Sequence, residues 1–224
     1  MYLGTPLKGR FDPDFPTQLR VGINQCFGEN ANGFYAQLHL NGHNGIDFST
    51  THYVNGNAPV LAAHDGYVVS DASVQSDTKG RYVEILSDEM VIDGKKCKIK
   101  TMYFHLKEAY VSTTPISTSW WAKWLPKNGT RVKRGQMIGI ANNTGLYTTG
   151  AHLHFGLYIL WKQANGGYVK DTQNGYDGAE DPMPYFNGRE VFYSGSTPSS
   201  RKYWFKGEEI TKEEAERIKN DSKF

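Results

Sequence analysis

Ala151-His152-Leu153-His154-Phe155-Gly156-Leu157-Tyr158 is the stretch that decides how this chain folds. Side chains two apart in a strand point to the same face. The run therefore sets His152, His154, Gly156 and Tyr158 on one face and Leu153, Phe155 and Leu157 on the other. The apolar face belongs in a core, and the imidazoles then meet a cleft. Spaced about 7 Å along a strand, they can share one small site. On these residues alone, a pair of hydrogen-bonded surface histidines is an equal reading.

Outward from this strand the same alternation recurs. Arg81 to Leu86 sets Val83 and Ile85 against Tyr82, Glu84 and Leu86 and predicts a half-buried strand. Lys96 to Leu106 alternates again after an Asp93-Gly94 turn. Val21 to Phe27, Ile46-Asp47-Phe48 and Met137 to Ile140 are shorter candidates. His64-Asp65-Gly66, between two short apolar runs, reads as a hairpin turn. Thr211-Lys212-Glu213-Glu214 fits a capping box, with Thr211 as N-cap and Glu214 at N3, and Ile210 and Ala215 occupy staple positions. It opens the one clear helix, expected to be short and packed on the surface of the domain. The chain has 24 Gly, 14 Tyr, 11 Phe and 5 Trp in 224 residues, a usage that suits turns and strands rather than a helical bundle. The expected fold is mainly β, with few short helices and one C-terminal helix.

Residues 1–20 carry Pro6, Pro13 and Pro16 and read as an irregular segment. Residues 21–195 are expected to form the main domain, and 196–224 an extension with the helix. A formal net charge of +2 argues against a dedicated nucleic-acid binder. No apolar run approaches the roughly 18 residues of a membrane span. The N-terminus shows no basic region followed by an apolar stretch, so no secretory signal is visible. Cys26 and Cys97 lie far apart outside any CxxC pattern and read as unpaired thiols.

Seven histidines carry the chemistry: His39, His43, His52, His64, His105, His152 and His154. In His43-Asn44-Gly45-Ile46-Asp47 a turn feeds a strand, with Asp47 pointing into the cleft. His105 ends an alternating strand beside a loop. A catalytic zinc keeps three protein ligands and one open position for water. His43, Asp47 and one of His152 and His154 supply three. The other member of the pair and His105 remain as imidazoles suited to acid–base work near neutral pH. The HExxH signature of helical zinc proteases is absent, so such a site would be built on strands.

These residues resemble the lysostaphin-type zinc endopeptidases, peptidoglycan hydrolases with the duplicated hybrid motif fold. The resemblance is carried in order by Gly42 to Phe48, Pro59 to Val68, Tyr82 to Ile85, Tyr103 to Leu106, Val132 to Gly139 and Asn143 to Phe155. It spans roughly residues 20–160. It implies an antiparallel β-sheet or sandwich with a long substrate groove. It also implies one Zn2+ held by His43, Asp47 and His154, with His105 and His152 as the catalytic pair. His39, His52 and His64 match no functional position. The family often uses a Tyr or Asn near the groove as well, for which Tyr35 is the candidate. The implied substrate is a peptide of bacterial peptidoglycan, cut in the stem or in the cross-bridge by a monomer acting at the wall. Glycyl–glycine bridges and D-alanyl–diamino-acid cross-links are both handled within the family. Delivery by a phage particle, holin-assisted release or prior removal of a signal would each suit the N-terminus as written, and a phage or prophage origin is the expectation. The competing reading is a non-catalytic wall-binding or phage-tail module of the same fold. A sugar-cleaving enzyme is a third, but it lacks a distinguishable carboxylate pair. The insertion at 109–130 carries Trp120, Trp121 and Trp124, which would either stack on sugars at the groove rim or pin a long loop to the domain.

Overall fold

The computed structural model describes residues 3–7, 10–12, 15–30, 32–72, 78–113, 129–146, 148–187, 191–194 and 200–220. Among them the chain forms β1 (Arg10–Asp12), β2 (Phe15–Gln25), β3 (Ile46–Ser49), β4 (Ala58–Leu61), β5 (Gly66–Ala72), β6 (Arg81–Leu86), β7 (Met90–Ile92) and β8 (Lys95–Ala109). There follow β9 (Arg131–Val132), β10 (Met137–Ala141), β11 (His152–Lys162), β12 (Tyr168–Val169), β13 (Ala179–Glu180), β14 (Val191–Ser194), β15 (Lys202–Phe205), β16 (Glu208–Ile210) and helix α1 (Lys212–Asn220). Short 3-10 turns occupy Phe34–Leu38, Val54–Gly56 and Met183–Tyr185. The fold is mainly β, as expected. Trp120, Trp121 and Trp124 lie outside the described residues.

The strands join one branched sheet in the order β16-β15-β14-β2-β3-β11-β8-β6-β5-β9, with β10 bridging β8 to β4. Pairing is antiparallel throughout except between β14 and β2, which run parallel. The centre is β11 against β8, a ladder from His154 opposite Phe104 to Trp161 opposite Cys97. The period-2 pattern of β11 divides its faces as expected. Leu153, Phe155 and Leu157 enter the main core beside Phe48, Tyr103 and Phe186. The opposite face carries a smaller cluster of Met102, Phe104, Tyr158 and Ala179. Cys97 is buried in the main core, and both cysteines are free thiols.

Two local expectations are corrected. Residues 1–20 are not irregular throughout: β1 pairs with the early part of β2, which begins at Phe15 and contains Pro16. A proline near the start of a strand is tolerated because that position need not donate to a neighbour. The segment His64-Asp65-Gly66 is not a hairpin turn. β4 pairs with β10, whereas β5 pairs with β6 and β9. The segment is a corner with Asp65 exposed and His64 buried: the His64 ring bonds the Thr101 hydroxyl at 3.0 Å and the Asp65 carbonyl at 2.8 Å.

The capping box forms as the sequence predicts. The Glu214 N–H donates to Thr211 Oγ1 at 3.1 Å, and the Thr211 N–H donates to Glu214 Oε2 at 2.9 Å. Ala215 packs with Tyr193 and Tyr203, so α1 lies against the β14–β15 end of the sheet.

Candidate metal centre and groove

A single row of side chains crosses four strands. In antiparallel pairing, directly opposed residues share a face, and the register sets Gln25 opposite Asp47, Asp47 opposite His154, and His154 opposite Phe104. The sheet thus delivers Asp47 and His154 side by side. His43 comes from the turn before β3. Its N–H donates to the Glu29 carbonyl at 3.0 Å, and its carbonyl accepts the Gly28 N–H at 2.8 Å.

The three functional atoms form a tight triangle. His43 Nε2 lies 2.9 Å from His154 Nδ1 and 3.2 Å from Asp47 Oδ1, and His154 Nδ1 lies 3.0 Å from Asp47 Oδ1. The proton count shows what this arrangement suits. His43 Nδ1 is 3.2 Å from the Cys26 carbonyl. A carbonyl only accepts, so Nδ1 carries the hydrogen and Nε2 offers a lone pair. Asp47 only accepts while ionised. One hydrogen at most, on His154 Nδ1, serves three converging electron-rich atoms, which is a donor set made for a cation. Zinc bonds of about 2.0–2.1 Å in tetrahedral geometry separate ligand atoms by about 3.3 Å, close to the edges of this triangle.

Electrostatics favour the ligand forms. Burial raises the pKa of Asp47, yet the adjacent His43 and His154 outweigh it and hold the carboxyl well below the usual carboxylate range. Burial pushes His154 below the ordinary imidazole value, against the pull of Asp47. The His154 ring is fixed between two neighbours. The Phe104 ring stacks on it at 5.2 Å and 16°. On another side is Gly45, where a Cβ would lie 2.7 Å from His154 Cε1 and from the Phe155 carbonyl oxygen. Glycine is required there for space.

His105 and His152 stand beside the triangle with ring centroids 4.6 Å apart. His105 Nδ1 donates to the Thr144 carbonyl at 2.7 Å, and His152 Nδ1 donates to the Gly150 carbonyl at 2.7 Å. With Nδ1 so engaged, the neutral form of either ring carries its lone pair on Nε2, and Nε2 of His152 lies 3.7 Å from Asp47 Oδ2. Burial first, then the neighbouring His152, pushes the His105 pKa down to about 4. His105 itself is held by a bulge. Between Arg81–Leu106 and Val83–Tyr103 the register slips by one, so Phe104 and His105 together face Tyr82. His105 adopts φ 63°, a left-handed backbone.

The five residues sit in a groove of about 540 Å³. Phe34, Tyr35 and Leu38 line it beside His43, and Lys79, Leu146 and Thr148 line it beside His105 and His152. Tyr35 donates its hydroxyl to Gln25 Oε1 at 2.9 Å and lies 5.5 Å, ring to ring, from His43. Burial, then the charge of Asp47, pushes the Tyr35 phenol up to about 12. The other histidines lie elsewhere: His64 buried in its corner, His39 at the left-handed end of a 3-10 turn, and His52 within 3.3 Å of the Tyr193 hydroxyl. Sequence reasoning missed the supports, namely the Phe104 stack, the Gly45 cradle and the Thr144 and Cys26 carbonyls. One signal was legible: Tyr103-Phe104 puts two large aromatics in succession, which period 2 cannot send to one core.

The model of peptidase family M23 matches residues 41–170, more than half of the chain and all five residues of the site. The chain belongs to peptidase family M23. Curated relatives include an uncharacterized metalloprotease of Haemophilus influenzae, 33% identical over 62% of this chain and 23% of that protein. The glycyl-glycine endopeptidase ALE-1 of Staphylococcus capitis is 29% identical over 75% of this chain and 36% of that protein. The peptidoglycan DD-endopeptidase ShyA of Vibrio cholerae is 32% identical over 55% of this chain and 22% of that protein. The chain thus spans well under half the length of these relatives. M23 members are metallopeptidases whose metal is zinc, and His43, Asp47 and His154 are the cluster that fits such an ion among the described residues. No described helix is long and apolar enough to cross a membrane.

Proposed function

We propose that this M23 chain is a zinc-dependent endopeptidase that hydrolyses peptide bonds in the stem or cross-bridge peptides of bacterial peptidoglycan, acting at the cell wall. The observation that carries the reading is the convergence of His43 Nε2, Asp47 Oδ1 and His154 Nδ1 in the groove, with two further imidazoles at its side. The names of ALE-1 and ShyA supply the substrate class.

His43, Asp47 and His154 would hold the ion. Zinc bound there would supply a Lewis acid for the scissile carbonyl and would acidify the attacking water. The protein's own groups handle the proton. His105 and His152, each anchored through Nδ1, present Nε2 as the accepting atom for a proton of the water. The same nitrogen then holds that proton and passes it to the leaving amine. Tyr35 keeps its hydrogen at neutral pH, since its phenol is pushed up to about 12, and turning that O–H away from Gln25 Oε1 would make it a neutral donor to the developing oxyanion.

Loss of turbidity of purified cell walls, with and without a chelator, tests the activity. His154→Ala is expected to abolish zinc content and activity together. His105→Ala is expected to retain zinc, read by metal analysis, while turnover falls about 10²–10⁴-fold. Full turnover in His105→Ala removes the role given to His105, and lysis unaffected by chelation overturns the zinc reading.

A further inference from the structure

His105 sits on a strained backbone, and three backbone groups from outside its own strand hold it there. Its N–H donates to the Lys79 carbonyl at 3.0 Å, and its carbonyl accepts the Asn142 N–H at 3.0 Å. Its ring donates through Nδ1 to the Thr144 carbonyl at 2.7 Å. The three holding groups belong to two loops, 78–80 and 142–144. The place of the ring is therefore only as definite as the fit of one loop to the other. Asn142 serves the second imidazole as well, since its carbonyl accepts the His152 N–H at 2.9 Å.

Two features join these loops. One is close packing of backbone: a Cβ at Gly80 would overlap the Thr144 carbonyl oxygen, and a Cβ at Gly145 would lie 2.7 Å from the Gly80 nitrogen. The other is the Thr144 side chain. Arg81 and Leu106 are the opposed pair at which the β6–β8 register slips. Thr144 Oγ1 accepts the Arg81 N–H at 3.0 Å and donates to the Leu106 carbonyl at 2.8 Å. One hydroxyl thus pins the loop to both strands beside the bulge, and its single hydrogen is used in doing so. At 7% exposure Thr144 is closed to substrate. Its hydrogen bonds run to Arg81, Leu106 and His105, not to His43, Asp47 or His154.

We infer that Thr144 is a positioning residue for the hydrolysis: its hydroxyl locks the 142–144 loop onto the bulge, and its carbonyl thereby stands where His105 Nδ1 meets it. This rests on the endopeptidase reading above. With Nδ1 so held, the neutral ring keeps the lone pair of Nε2 at a fixed place beside the groove. Removing the hydroxyl frees the loop to shift, and a displacement of about 1 Å at a proton-transferring atom costs up to about 10²-fold in rate.

The test measures kcat, KM and zinc content of the zinc-loaded protein on soluble cross-linked peptidoglycan peptides. Thr144→Val keeps the shape and removes the hydroxyl. It is expected to lower kcat about tenfold to a hundredfold, with KM and zinc content unchanged. Thr144→Ser keeps the hydroxyl and is expected to retain most of kcat. In a His105→Ala background, Thr144→Val is expected to add no further loss, because its effect passes through His105. Full kcat in Thr144→Val, an equal loss in Thr144→Ser, or the same fold loss with and without His105 overturns the assignment. Should Thr144→Val not fold, Thr144→Ala, which leaves space in place of a methyl, is read by the same criteria. If the unaltered protein cuts nothing, the endopeptidase reading fails, and the nitrogen-edited magnetic resonance spectrum of His105 decides Thr144 separately. Near neutral pH its Nδ1–H signal is expected to be sharp in the unaltered protein and in Thr144→Ser, and broadened by exchange with water in Thr144→Val. A signal equally sharp in Thr144→Val overturns the assignment.

Discussion

At His105 the backbone sits at φ 63°, a conformation that disfavours any residue with a Cβ. The strain accompanies a useful placement, since the bulge turns the imidazole toward His152 and lets Nδ1 reach the Thr144 carbonyl. His105→Gly and His105→Ala should both lose turnover, but the glycine variant should be the more stable by about 1 kcal/mol, measured as the difference in urea unfolding. Equal stability would mean that the left-handed backbone costs nothing there. Gly45 makes the opposite case, where space rather than backbone freedom demands glycine. Gly45→Ala places a methyl 2.7 Å from His154 Cε1 and the Phe155 carbonyl. It is expected to lower stability by about 1–3 kcal/mol and to weaken zinc binding, read by titration with a competing chelator.

The elements divide the work by length. β8 and β11 are long, pair with each other over eight residues and carry both faces of the molecule, so the centre of the site rests on the best-buried ladder. β3 has four residues, yet it carries Asp47 at a position opposite His154, and its Phe48 anchors it in an aromatic cluster with Phe155, Phe186 and Phe192. α1 lies at the far end of the sheet order and is held by its capping box and by Ala215. Thr211→Ala is expected to cost about 1 kcal/mol, seen as a lower thermal midpoint, with zinc content and activity per folded molecule unchanged. A loss of zinc in that variant would show that the helix supports the site.

On the scale of the whole molecule, acid is the natural antagonist of this fold. His64, His105 and His154 are buried and their pKa values lie below 6.5 in the folded chain, that of His105 at about 4, with burial the leading cause in each. Unfolded, the same imidazoles titrate near 6.5. As pH falls below 6.5 the unfolded chain takes up protons first, so the stabilising preference for neutral rings is complete above 6.5 and is lost between there and about 4. The metal-free protein should therefore show a thermal midpoint that is level from pH 8 to 7 and declines from pH 6.5 to 4. A midpoint unchanged across that interval would contradict the burial of these rings as neutral groups. The sequence by itself determined the strongly alternating strands β6, β8 and β11 and the faces of β11, because period 2 is a local property of the chain and the apolar side must leave water. It also determined the capping box, whose partners lie three residues apart. The chemical types of the site were legible too, since imidazole and carboxylate at those positions suit a zinc ion. Tertiary structure alone decided that His43 and His154, 111 residues apart, meet at 2.9 Å. It likewise decided that a slip of one residue in β8 aims His105, and that β4 turns away to β10 rather than pairing with β5. Register, bulges and corners are set by which distant strand occupies an edge, and that is a property of the closed sheet rather than of any segment read alone.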